Sequence, residues 1–261
     1  MTRAINDGRA LDEFRARGYE IVTVPSPFSD ATLYSADRLL DDRGMTDFEL
    51  SLMQSGNLRH LLPDAQRALF TSALRSQVVS SLDRTVDLAR ERQDQPKLVL
   101  THLMAPHDPI LFGVDGSPRQ GWPCFPSDCS LFDGGQRYGD AIVEPTVAQV
   151  GHLNTLVVDT ARRILAESGE PPVIIVFSDH GLRHRLDDHD EMFRSLLLTY
   201  TPGQPGIVPP DATPVYLLAR ILNAYHGSSL VLATEESYFV DIASVRIDGI
   251  LGLERVAPRA P

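Results

Sequence analysis

The stretch Pro171-Pro-Val-Ile-Ile-Val-Phe-Ser-Asp-His-Gly181 decides the fold class, because it joins a short apolar run to a polar turn. An uninterrupted apolar run of this length predicts a β-strand at residues 172–177 that is buried on both faces. Further strands are predicted at residues 20–24, 98–103 and 196–201, and helices at residues 10–17, 146–167 and 213–225. Residues 63–92 are predicted to form one long or two consecutive helices. This alternation of strands and helices predicts an α/β layered fold around a mostly parallel sheet.

The organisation of the chain predicts a single α/β domain over residues 1–261, since no repeat, low-complexity tract or clear linker interrupts it. Residues 106–145 form a connection rich in Gly, Pro, Asp and Cys, and connections of this length are usually functional. It contains Cys124 and Cys129, which either close a small disulfide loop or remain free thiols.

The net charge limits the classes of partner. The chain has 24 Lys and Arg against 35 Asp and Glu, a formal charge of −11. An acidic surface repels phosphate backbones, so we expect no nucleic acid partner. A small anionic substrate would need a metal ion, or local Arg and His residues, to offset this charge. We also expect neither a signal peptide nor a membrane helix, because no run approaches the roughly 20 apolar residues that a span requires.

The four residues Ser178-Asp-His-Gly181 follow the most apolar predicted strand. Ligands in open α/β sheets bind beyond the carboxyl ends of the strands. A carboxylate and an imidazole at that edge therefore predict a divalent metal site formed by Asp179 and His180, with Gly181 freeing the backbone to turn. The alternative is an Asp that caps a turn beside an incidental His. The charged segment 183–191 is by default a solvated loop, although its Arg and His residues are within reach of such a site.

A second His-Asp pair lies in Ala105-Pro-His-Asp-Pro109, after another predicted strand. The two prolines restrict the backbone around His107, which favours a fixed role: binding an anionic oxygen or protonating a leaving group. The alternative interpretation of this segment is that His107 is an ordinary loop residue. His102, within the strand, is expected to be a core residue with satisfied hydrogen bonds.

The order of these motifs resembles a known family. Four segments follow one another in this order: Lys97-Leu-Val-Leu-Thr-His-Leu-Met-Ala-Pro-His-Asp-Pro109, an amphipathic helix, the 171–181 stretch and Thr213-Pro-Val-Tyr-Leu-Leu-Ala-Arg-Ile-Leu-Asn-Ala-Tyr225. This order resembles that of the sulfatase-like branch of the alkaline phosphatase superfamily. The resemblance is in particular to the membrane-associated phosphoglycerol-transferase and lipoteichoic-acid-synthase-like proteins of that branch. The resemblance runs from about Leu11 to Phe239 and includes Arg15-Ala-Arg-Gly-Tyr19, Ala36-Asp37 and Phe48-Glu49. It implies an alkaline phosphatase-like layered fold with helices on both faces of the sheet.

The resemblance also implies residue roles. Asp179 and His180 match the pair that binds the divalent metal (Mn, Mg, Zn or Ca), and His107 matches a catalytic histidine that contacts the transferred phosphate or sulfate. Arg183 and His184, next to the metal pair, are predicted to bind substrate. The family uses a metal-activated Thr, Ser or modified Cys, forms a covalent phospho- or sulfo-enzyme, and resolves it with water or an alcohol.

The chain departs from the family at its start. Family members place the nucleophile and another acidic metal ligand before the Arg-Gly-Tyr segment, where this chain has few residues. We therefore expect the C-terminal two-thirds of the family's domain, without its N-terminal part or membrane anchor, with weakly held metal and no activity in isolation. Thr32 is a weak candidate nucleophile, and Asp187 or Asp190 would have to replace the missing ligand.

The sequence allows more than one hypothesis about function. The chain is either part of an active membrane-associated, extracytoplasmic enzyme, or an inactive relative with a structural or anion-binding role. An unrelated Ser-His α/β hydrolase is a third alternative, but the sequence has no Gly-x-Ser-x-Gly elbow. The oligomeric state is not indicated by the sequence.

Overall fold

The computed structural model is a mixed α/β structure whose residues divide into two compact units. It describes residues 8–28, 31–41, 63–92, 94–107, 109–119, 139–182, 189–210, 212–232, 237–240 and 253–256. The first unit comprises Met1–Pro172 with Arg183–Leu186, and the second comprises Val173–Leu182 with Asp187–Pro261. Each unit is described separately below.

The first unit contains a parallel three-stranded sheet. Helix α1 (Arg9–Ala16) is followed by strand β1 (Glu20–Val24), and strands β2 (Arg38–Leu39) and β3 (Lys97–Thr101) pair on either side of β1. Gly18, after α1, has a φ of +80°, a left-handed conformation that glycine adopts without steric cost. Four consecutive residues of β1 are buried, so this central strand is covered on both faces. The predicted parallel pairing is thus confirmed for this sheet.

Two long helices complete the first unit. Helix α2 (Pro63–Arg90) packs against helix α3 (Val143–Glu167), which follows a 3-10 turn at Gly139–Ile142. Their shared core also takes in residues of the segment after β3; its members are Phe70, Leu74, Val78, Leu82, Ala105, Leu111, Phe112 and Leu153. The backbone around His107 is therefore anchored in the core on both sides. No helix in the described ranges is both long and apolar enough to cross a membrane.

The second unit is built on antiparallel pairs. Strand β4 (Ile174–Phe177) pairs with β5 (Leu197–Tyr200), with the short helix α4 (His189–Met192) between them in sequence. A 3-10 turn at Pro214–Tyr216 opens helix α5 (Leu217–His226), and strands β6 (Ser237–Val240) and β7 (Leu253–Val256) form a further antiparallel pair. Gly227 ends α5 with a φ of +62°, a left-handed conformation that is common for glycine at the end of a helix.

The prediction that residues 172–177 are buried on both faces is wrong. Strand β4 begins at Ile174, its first three residues are only partly buried, and the Phe177 side chain is 51% exposed. On the partner strand, Leu198 is 50% exposed. The physical reason is that a two-stranded sheet offers less cover than the interior of a large one. Strand β4 also pairs antiparallel with β5, whereas the sequence predicts a mostly parallel sheet. An apolar run does not encode the direction of the strand with which it pairs.

Candidate functional site

The Asp-His-Gly turn begins where β4 ends, and its backbone is held at both ends by the segment before β5. The Ser178 backbone N–H donates to the Leu196 carbonyl oxygen at 3.0 Å, and the Leu196 N–H donates to Ser178 Oγ at 2.8 Å. At the other end, the Gly181 N–H donates to the Met192 carbonyl oxygen at 2.8 Å. These bonds fix the position of the two predicted metal ligands between them.

Gly181 is required for a steric reason. A Cβ added at this residue would overlap the Glu191 carbonyl oxygen and would lie 2.7 Å from the carbonyl oxygen of Arg194. We expected the glycine to give the backbone freedom to turn. The structure instead shows that a close approach of residues 191–194 leaves no room for a side chain.

The His180 ring has a defined orientation toward Asp179. Its Nδ1 lies 2.7 Å from the Gly181 carbonyl oxygen, which can only accept, so Nδ1 carries a proton. In the neutral ring, Nε2 then presents a lone pair, 3.6 Å from Asp179 Oδ2. Two acceptors face each other, and a proton or a cation between them would be favourable.

The spacing of these two atoms fits one bound cation. Ligands at 2.0–2.1 Å in a tetrahedral zinc site are roughly 3.3–3.4 Å apart, close to the 3.6 Å separation of His180 Nε2 and Asp179 Oδ2. Ligating histidines usually donate their other ring N–H to a carbonyl or carboxylate, as His180 does to Gly181. The donor set and ring orientation therefore fit a divalent metal.

Asp179 and His180 are accessible to a dissolved ion, but together they supply only two ligands. The Asp179 side chain is 86% exposed and that of His180 is 33% exposed, so an ion can reach both. Within the part of the chain that the structure describes, no group of three or more His, Cys, Asp or Glu side chains is placed to hold a metal. Asp190, one of the two residues expected to replace the missing ligand, is exposed. Two protein ligands are fewer than the three or four that zinc sites generally provide.

His107 is half-buried and lies on a loop between buried residues. Its backbone N–H donates to the Met104 carbonyl oxygen at 2.8 Å. Ala105 is buried before it, and residues 109–113 are buried after it. The Ala105–Pro106 peptide bond is cis. The imidazole therefore belongs to a loop whose apolar residues enter the core on both sides of it.

Gln149, on α3, was not predicted as part of the site. It is fully buried, and its Oε1 accepts the N–H groups of Leu111 at 2.6 Å and Phe112 at 3.3 Å. Its Nε2 donates to the Pro106 carbonyl oxygen at 3.0 Å. The signal in the sequence is its spacing, four residues before the buried Leu153, which places it on the buried face of the helix.

A second polar contact lies beyond the carboxyl ends of β1 and β3. Ser26 Oγ and His102 Nδ1 are 2.6 Å apart, and the Ser26 Oγ also accepts the Phe28 N–H at 3.1 Å. Ser26 is fully buried. His102 thus has a hydrogen-bond partner at Nδ1, but it is half-buried and follows β3 instead of lying in the core within the strand, as predicted.

Of the remaining candidate residues, Thr32 lies in the part of the chain that the structure describes. Thr32 is 1% exposed and its Oγ1 donates to the Phe28 carbonyl oxygen at 3.5 Å, which favours a packing role. The other predicted residues, Arg183, His184, Asp187, Cys124 and Cys129, lie outside the described residues.

The structure brings Asp179 and His180 together in the second unit, while His107 and Thr32 belong to the first. No family model matches the chain, and no curated protein or solved structure shows significant similarity to it.

Proposed function

We propose that the chain carries metal- and anion-binding side chains of a sulfatase-like hydrolase or phosphotransferase that acts on phosphate or sulfate esters through a covalent enzyme intermediate. The observation that carries the proposal is the pairing of His180 and Asp179: Nε2 lies 3.6 Å from Asp179 Oδ2, while Nδ1 is bound to the Gly181 carbonyl oxygen. We also propose that its α/β units belong to an alkaline phosphatase-like layered fold.

Asp179 and His180 are the residues that would hold the cation. The cation would neutralise charge on the ester oxygens and lower the pKa of a nucleophilic hydroxyl. The Gly181 carbonyl would keep the His180 proton on Nδ1, which leaves Nε2 available as a ligand. A chain with a net charge of −11 needs such a local positive charge to attract an anionic ester.

His107 would bind the ester or serve its leaving oxygen. A ring nitrogen that carries a proton donates a hydrogen bond to a phosphoryl or sulfuryl oxygen, or transfers the proton to a departing alkoxide. Its position supports this role, since His107 is half-buried on a loop that has buried residues before and after it. The nucleophile is not assigned, and the burial of Thr32 makes it a poor choice.

The proposal is tested with nitrophenyl phosphate, bis-nitrophenyl phosphate and nitrophenyl sulfate in the presence and absence of Mn²⁺. Because the sequence predicts no activity of the chain in isolation, the proposal requires that any turnover of these esters depends on Mn²⁺, is lost in Asp179→Asn and His107→Ala, and survives Asp159→Asn. Asp159 is an exposed carboxylate on α3 and serves as the matched control. Turnover that is independent of Mn²⁺, or that survives Asp179→Asn, would contradict the proposal.

A second candidate is an inactive relative that binds an anion. It is favoured by the absence of any three-ligand metal group among the described residues and by the burial of Thr32. Mn²⁺-dependent binding of inorganic phosphate without turnover of any of the three esters would support this candidate. If the protein neither binds phosphate nor hydrolyses an ester, both candidates are wrong.

A further inference from the structure

Two buried glutamines bind the loops that follow neighbouring parallel strands. Gln77 on α2 is 4% exposed, and its Nε2 donates to the carbonyl oxygen of Pro25 at 3.2 Å, just after β1. Gln149 on α3 is fully buried, and its Nε2 donates to the carbonyl oxygen of Pro106 at 3.0 Å, after β3. Both use the same amide chemistry, but only the second contacts the loop that contains His107.

Gln149 binds that loop on both sides of the histidine. Besides the bond to Pro106, its Oε1 accepts backbone N–H groups from Leu111 and Phe112. One side chain thus fixes the residue directly before His107 and a pair a few residues after it. This buried amide is costly to disturb, because without it the N–H groups of Leu111 and Phe112 would lose their partner in the core.

Apolar packing alone would not determine the position of this loop so closely. Leu111 and Phe112 pack with Leu74, Val78 and Leu153 in the core, but such contacts are non-directional and tolerate small shifts. Hydrogen bonds have a narrow range of distance and angle. The Gln149 amide therefore supplies directional restraints on the backbone that precedes and follows His107.

We propose that Gln149 is a positioning residue, which holds the backbone around His107 so that its imidazole is preorganised to bind a phosphoryl or sulfuryl oxygen. The restraint on the loop follows from the contacts above, and the anion as ligand rests on the proposed function. Preorganisation increases affinity, because the entropy of ordering the loop is lost on folding rather than on binding.

The test combines NMR spectroscopy of the full chain with inorganic phosphate as the probe, in the presence of Mg²⁺. The shift of the His107 Cε1–H resonance reports phosphate binding, and hydrogen exchange of the Leu111 and Phe112 amides reports the restraint. Gln149→Met removes all three hydrogen bonds at similar length. Gln149→Glu keeps an acceptor for the two amides but in its ionised form cannot donate to Pro106.

We expect Gln149→Met to accelerate exchange of both amides and to weaken phosphate binding at His107 by about tenfold or more. Gln149→Glu should keep more of the amide protection than Gln149→Met while still weakening phosphate binding. The matched control is Gln77→Met, which removes a buried glutamine amide of the same kind. It should lower the denaturation midpoint but leave phosphate affinity at His107 within about twofold.

The outcomes separate this proposal from the proposed function. If phosphate does not shift the His107 resonance in the unsubstituted chain, the anion-binding role of His107 is wrong, whereas the exchange data still test the restraint. If phosphate binds the unsubstituted chain and Gln149→Met with equal affinity, the positioning role is wrong. Unchanged amide exchange in Gln149→Met would equally overturn it. Should Gln149→Met fail to fold, Gln149→Glu provides the same comparison against Gln77→Met.

Discussion

Ser26 Oγ and His102 Nδ1 lie 2.6 Å apart and join the segments that follow two neighbouring parallel strands. Ser26 Oγ also accepts the Phe28 N–H at 3.1 Å, so one hydroxyl group contacts both His102 and the backbone of Phe28. The pair is thus a structural hydrogen bond beyond the carboxyl ends of β1 and β3, the sheet edge at which ligands bind in α/β proteins.

Replacing Ser26 by Ala should destabilise the chain by about 1–3 kcal/mol, since the change leaves His102 and the Phe28 N–H without this partner. The measurement is urea denaturation followed by circular dichroism. Ser80→Ala is the matched control, because the Ser80 hydroxyl donates to the Gln77 carbonyl oxygen within α2. Equal denaturation midpoints for Ser26→Ala and Ser80→Ala would show that the contact contributes nothing.

Replacing Gly181 by Ala should lower stability by about 1–3 kcal/mol through overpacking, because the new methyl group would overlap backbone atoms of residues 191–194. Gly169→Ala is the control: its Cβ would meet Arg92 NH1 at 2.5 Å, the movable end of a flexible side chain. Thermal denaturation of both variants distinguishes the two cases. A Gly181→Ala protein as stable as Gly169→Ala would mean that residues 191–194 do not approach Gly181 so closely.

A pH-dependent contribution to stability is expected from Glu91. Its carboxylate accepts two bonds from the Arg38 guanidinium, each at 3.0 Å, and one from Lys97 Nζ at 3.2 Å. The bond to Arg38 and then that to Lys97 lower the pKa of Glu91 below its ordinary value of 4.5, although burial opposes this. A carboxyl whose pKa is lower in the folded state stabilises the fold above its ordinary pKa, and this stability is lost as the pH falls through the folded value.

Glu91→Gln should therefore reduce the loss of stability between pH 7 and about pH 3 relative to the unsubstituted chain. The difference should be at most about 1 kcal/mol, since the Glu91 side chain is 41% exposed and water screens the pair. Urea denaturation at several pH values measures it. Arg38→Gln should remove most of the same pH dependence. If Glu91→Gln loses as much stability on acidification as the unsubstituted chain, Glu91 is not the group responsible.

The sequence predicts much of the secondary structure, because apolar periodicity reflects burial. The strand predicted at 20–24 is found at Glu20–Val24, that at 98–103 at Lys97–Thr101, and the helical segment predicted at 63–92 at Pro63–Arg90. Strand β2 was missed, since two residues are too short for a periodic pattern and it is defined by pairing with Val22 and Thr23.

The polar contacts around the site are harder to predict than the strands. Asp179 and His180 are recognisable from adjacency after a strand, but the orientation of the His180 ring depends on the Gly181 carbonyl. Gln149 resembles an ordinary polar helix residue, and its role depends on a loop about 40 residues away in the sequence. Such contacts arise from tertiary packing, which a single sequence does not encode locally.

The most direct test is a Mn²⁺ titration of the isotope-labelled chain, followed by NMR spectroscopy of the histidine Cε1–H resonances. We expect the His180 resonance to broaden selectively and the ion to be held weakly enough to be lost on gel filtration, because two protein ligands bind it. Asp179→Asn should abolish the broadening at His180, and Asp159→Asn should preserve it. A His180 resonance that Mn²⁺ leaves sharp, or that broadens equally in Asp179→Asn, would contradict a metal site at Asp179 and His180.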